Sequence, residues 1–102
     1  MNGTSSPLSS EVRVPTPVPR RYLGQLCKHF QHKLPVTLDE RHGRIEFPAG
    51  VCELDATNDE TLILRASAGD EASLARLEEV VARHLERFAF REELKVGWTR
   101  AA

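Results

Sequence analysis

"VTLDERHGRIEFPAGVCELDATNDETLILRASA", residues 36–68, alternates apolar and polar side chains over most of its length. Successive strand residues point to opposite faces, so this pattern reads as strands with one buried face. Val36 and Leu38 alternate with Thr37 and Asp39. Ile45 and Phe47 alternate with Arg44 and Glu46. Cys52, Leu54 and Ala56 alternate with Glu53 and Asp55, and Leu62, Leu64 and Ala66 alternate with outward Arg65 and Ser67. Between these runs lie turn-forming residues: Glu40-Arg41-His42-Gly43, Pro48-Ala49-Gly50 and Thr57-Asn58-Asp59-Glu60. Gly43, read as a turn residue, is free to take a positive φ. Four short strands joined by three short turns make an antiparallel meander.

The flanks of this stretch are helical. Upstream, Leu23, Leu26, Cys27, Phe30 and Leu34 recur at helical spacing, and Pro35 stops the run. Proline suits a first helical turn but disfavours helix in the residue before it, so Pro19 favours a late start. Downstream, Asp70 is an N-cap candidate with Glu71 beside it. The stripe Leu74, Leu77, Val81, Leu85 and Phe88 follows, and the helix is expected to end near Phe90.

Glu11-Val12-Arg13-Val14 predicts a first strand, and Leu94, Val96 and Trp98 predict a last one. Residues 1–10 are polar and read as a flexible tail, leaving residues 11–102 as a single domain. The order β-α-β-β-β-β-α-β predicts an α+β two-layer sandwich. Its mainly antiparallel sheet carries both helices on one face.

The chain has 102 residues, of which 40% are hydrophobic. That supports one modest core. Fourteen basic residues against 15 acidic ones give a formal charge of −1. This balance argues against a nucleic-acid binder, which usually shows a basic excess. No apolar run is long enough for a membrane helix. The N-terminus has neither the charged nor the apolar region of a secretory signal. Two cysteines without an export signal point to reduced thiols in a cytoplasm.

Three segments carry a family resemblance: "RYLGQLCKHFQHK" (21–33), "GRIEFPAGVCEL" (43–54) and "RLEEVVARHLERFAFREEL" (76–94). Together they resemble a bacterial family known as domain of unknown function 2218, over about Val12 to Trp98. The resemblance implies a bacterial cytoplasmic protein and no established activity. It also implies a context. Similar domains occur fused to siderophore-interacting proteins, flavin-dependent reductases that release iron from ferric siderophores.

Several groups invite chemistry. Cys27, His29 and His32 are metal-ligating types, but helical geometry turns Cys27 inward and His32 nearly opposite. The pair His29 and His32, three residues apart, remains the metal candidate. Cys27 and Cys52 can meet in the core, and a thiol there behaves as a small hydrophobe. His84 flanks the second helix's stripe and is the possible base for a thiol. Arg21, Lys28, His29, His32 and Lys33 form a basic outer face on the first helix, suited to an anion or an acidic partner. Glu78, Glu79, Glu86, Glu92 and Glu93 alternate with arginines and read as surface pairing, with Glu79 and Arg83 at i, i+4. Tyr22 and Trp98 read as core or sheet-edge residues.

There is no phosphate loop, HExxH pattern or GxSxG elbow. The expected function is therefore a non-enzymatic ligand- or protein-binding module, which the family resemblance implies is accessory to iron or siderophore handling. No cofactor, nucleic acid or membrane is expected. Its partner would be an anionic small molecule or a siderophore-reductase-type protein. The alternative is a small metal-binding protein or thiol enzyme using His29, His32, Cys52 or His84.

Overall fold

A computed structural model describes residues 8–89, 94 and 96–100. The elements are β1 (Leu8–Pro15), α1 (Pro19–Phe30), β2 (Val36–Leu38), β3 (His42–Phe47), β4 (Gly50–Asp55), β5 (Thr61–Ala68), α2 (Glu71–Phe88) and β6 (Thr99–Arg100). The strands form one antiparallel sheet in the order β2-β3-β4-β5-β1-β6. Residues 36–68 form the expected meander. The fold is the expected α+β arrangement of two helices and an antiparallel sheet.

Each central strand buries one parity. Val12, Val14, Ile45, Cys52, Leu54, Leu62, Leu64 and Ala66 face the helices. From above, α1 contributes Tyr22, Leu23, Leu26 and Cys27, and α2 contributes Leu74, Leu77, Val81 and Leu85. The opposite sheet face is polar. Paired by register, Arg44, Glu53, Arg65 and Glu11 run across four strands as a row of alternating charge. Arg65 Nε lies 2.8 Å from Glu11, and Arg44 lies 3.6 Å from Glu53. These pairs are solvated, so they keep this face wet more than they stabilise it.

β1 and β2 point the same way but lie four strand spacings apart, about 19 Å. The twelve-residue α1 is about 18 Å long and, with its flanking turns, bridges that gap. α1 starts at Pro19, consistent with the constraint Pro19 places on Val18. In α2, Asp70 Oδ1 accepts from the Ser73 amide at 2.8 Å, as an N-cap should.

Four expectations are corrected. The first strand begins at Leu8, and Leu8–Ser10 pair with Ala66–Ala68, so these three residues are sheet and not tail. The reason is tertiary: β5 offers an eight-residue edge, and β1 pairs along all of it. Residues 1–7 lie outside the described residues.

The last strand is Thr99–Arg100, pairing with Ser10 and Glu11. Leu94, Val96 and Trp98 are not strand residues. They pack half-buried against the core outside any strand, which produces alternation without a ladder. Arg100 fixes this segment to α2 through Glu78 at 2.8 Å and Glu71 at 2.6 Å. Lys95 lies outside the described residues, as do Phe90, Glu92 and Glu93.

No described residue has a positive φ. Gly43 is a buried residue of β3, kept small because an added Cβ would come 2.5 Å from Cys27 Sγ. At the β3–β4 turn, Phe47-Pro48-Ala49-Gly50 suits a type I turn, whose central residues keep negative φ. Finally, α1 ends at Phe30, so Leu34 and His32 lie beyond it. No helix among the described residues is long and apolar enough to cross a membrane.

Candidate functional site

The basic set separates in three dimensions. Arg21 and Lys28 are exposed, two turns apart on the outer face of α1, and His32 and Lys33 are exposed in the turn that follows. His29 lies on the flank that meets α2. Its ring centroid is 4.8 Å from that of His84, 4.9 Å from Phe30 and 5.6 Å from Phe88. Phe30 in turn meets His84 at 4.8 Å and Phe47 at 4.9 Å. Two histidines and three phenylalanines therefore line the seam where α1, α2 and β3 converge. The structure pairs His29 with His84, where the sequence suggested His32.

His84 is anchored by its Nδ1, 2.7 Å from the Val80 carbonyl oxygen. A carbonyl oxygen only accepts, so Nδ1 carries the hydrogen and Nε2 is left open. Partial desolvation against its aromatic neighbours holds the His29 pKa below its ordinary value, assisted by the positive fields of His84, Arg87, Lys33 and His32.

Next to this seam is a recess of about 400 Å³ between the β3–β4 turn and α2. Phe47, Pro48, Ala49, Leu77 and Val80 give it apolar walls, and Ser73 and Arg76 supply side-chain polarity. Phe47 belongs to both the recess and the aromatic seam, so the two are continuous. Arg76 is exposed and makes no salt bridge among the described residues, although its field reaches the Asp70 carboxylate. The sequence analysis did not find this recess. Its walls lie about 26 positions apart, and the only local trace is an arginine beside the Leu74–Leu77 stripe.

The thiols give no reactive centre. Cys27 and Cys52 are free and fully buried. Burial alone pushes the Cys27 thiol up to about 11. Burial also raises Cys52, with Cys27 and Glu53 adding to it. A protonated, enclosed thiol is a poor nucleophile. Both cysteines are therefore expected to resist a thiol reagent in the native state and to react together on unfolding. Fast native labelling of either one would put a thiol at the surface and contradict this packing. The described residues hold no group of three or more His, Cys, Asp or Glu placed to bind a metal.

A family described as an uncharacterised protein conserved in bacteria (DUF2218) matches residues 11–99. The NMR structure of PA4090 from Pseudomonas aeruginosa is similar, with a TM-score of 0.76 and 38% identity. That similarity covers 90% of this chain and 95% of that one. No curated protein matches the chain.

Proposed function

We propose a function for a chain that belongs to DUF2218, a family of uncharacterised proteins conserved in bacteria: a non-enzymatic module that binds an anionic, partly apolar ligand. One observation carries this reading. The recess against α2 has apolar walls and, at its edge, an exposed guanidinium that makes no salt bridge among the described residues. Ligand sites commonly combine apolar walls with a few orienting polar groups. Arg76 would pair with a carboxylate, sulfonate or phosphate, and Ser73 would add a hydrogen bond. Along the aromatic seam, Lys33 and Arg87 extend the positive rim. Lys28, His32 and Arg21 continue it around α1, where an acidic partner surface would meet them.

The fully buried thiols favour binding over thiol catalysis. An accessory role in siderophore handling, as the family resemblance suggests, would place a siderophore carboxylate or a reductase-type protein at this same rim.

The test is an NMR titration with 2-naphthoate and its neutral analogue 2-naphthalenemethanol. Naphthoate is expected to shift the amides of Phe47, Ala49, Ser73, Arg76, Leu77 and Val80. Arg76→Gln is expected to weaken naphthoate about fivefold, the scale of one exposed charged contact, and to leave the alcohol unchanged. Added salt should act on naphthoate only. Shifts confined to Lys28 and His32, or equal binding by the Arg76→Gln protein, would remove the recess as the site.

A further inference from the structure

We propose that His29 and His84 form a two-imidazole site for a borderline divalent transition ion (zinc, nickel or copper) across the seam between α1 and α2. This inference is independent of the recess and of its anionic ligand.

The geometry is the first argument. A metal lies about 2.0–2.1 Å from an imidazole nitrogen, which puts it about 3.2 Å from the ring centre. Two imidazoles on one ion then have centroids about 4.5 Å apart at a right-angled arrangement and about 5.2 Å apart at a tetrahedral one. The observed separation of 4.8 Å lies between these values. The rings are tilted by 50°. A parallel stack would hold the in-plane lone pairs parallel, whereas tilted rings let them converge.

The second argument is the state of the nitrogens. His84 Nδ1 is committed to the Val80 carbonyl, the kind of outer contact that fixes the tautomer of a metal-bound histidine. In the neutral ring the lone pair is therefore on Nε2. His29 has no hydrogen-bond partner among the described residues, so either of its nitrogens can turn to the ion.

The surrounding charges work against the ion. Lys33, Arg87 and His32 all act on His29, and none of them is a carboxylate. All three are exposed, so salt screens their repulsion. They also attract an anion to the positions that two protein ligands leave open. The ion would bridge the C-terminal turn of α1 to the C-terminal part of α2, two elements otherwise joined here by side-chain packing.

The experiment is a calorimetric titration of the full, untagged chain with nickel chloride and with zinc chloride, at about pH 8 and about pH 5.5, on either side of the imidazole pKa. One ion per chain is expected at the higher pH. Affinity should fall by about ten- to a hundredfold at the lower pH, as each imidazole must give up its proton. His29→Gln and His84→Gln should each lose at least about tenfold, since each leaves a single imidazole. His32→Gln and His42→Gln should bind as the parent does. The exposed His29 position keeps the test clear of any folding defect at half-buried His84. In the parent, zinc should shift the imidazole signals of both His29 and His84. Unchanged binding in either of those variants, equal loss in His32→Gln, or binding that strengthens as pH falls would overturn the proposal.

Discussion

Leu26→Ala is expected to destabilise the protein by about 2–5 kcal/mol, the range for buried leucines. Leu26 is only 1% exposed and lies on the inner face of α1, between Tyr22, Leu23 and Cys27. The substitution removes apolar contact and leaves a hole. The sheet below is held by its ladder, and α2 is fixed along Leu74, Leu77, Val81 and Leu85, so the surroundings can close that hole only in part. Domains of this size are stable by roughly 5–15 kcal/mol in total, so one leucine is a sizeable fraction. The denaturation midpoint should fall while the slope stays constant. The melting temperature should drop by roughly 4–8 °C per kcal/mol. A loss under about 0.5 kcal/mol, the scale of a surface change, would mean that α1 presents a different face to the sheet.

Gly50→Ala is expected to cost at least about 3 kcal/mol, the upper end for overpacking. Gly50 opens β4 directly opposite Ala68 of β5. A Cβ there would fall on the Ser67 carbonyl oxygen and within 3.0 Å of Ala68 Cβ. Gly50 has no positive φ, so the requirement is for space and not for backbone freedom. The obstacle is main chain, which cannot rotate away, so relief requires parting the start of β4 from the end of β5.

Two other glycines calibrate the effect. At Gly43 the added atom meets the Cys27 and Leu23 side chains, which can move, so the cost should be smaller. At Gly69 it meets nothing within 4 Å, and Gly69→Ala should stay within about 0.5 kcal/mol of the parent. Chemical denaturation of the three variants should rank them in that order. Similar losses for Gly50→Ala and Gly69→Ala would show that β4 and β5 are spaced more widely than described.

The sequence by itself determined the meander from Val36 to Ala68, the inner faces of both helices, the Pro19 start and the Asp70 cap. Each of these follows from local rules, namely side-chain period, proline geometry and side-chain capping within a few residues. Tertiary structure alone decided where the terminal strands lie. β1 reaches back to Leu8 because β5 offers pairing along all eight of its residues, and β6 is confined to Thr99–Arg100 opposite Ser10 and Glu11. No period in Leu8-Ser9-Ser10 announces this, and the alternation of Leu94, Val96 and Trp98 reflects packing on the core.

The candidate sites divide in the same way. The burial of Cys27 and the outward basic residues of α1 were legible from helical spacing. The meeting of His29 with His84, and of Phe47 with Ser73 and Arg76, was not. Those residues lie 26 to 55 positions apart, and helical or strand period only says which side of its own element a residue takes. Which sides then meet is fixed by how two helices of particular length and bulk settle on one twisted sheet.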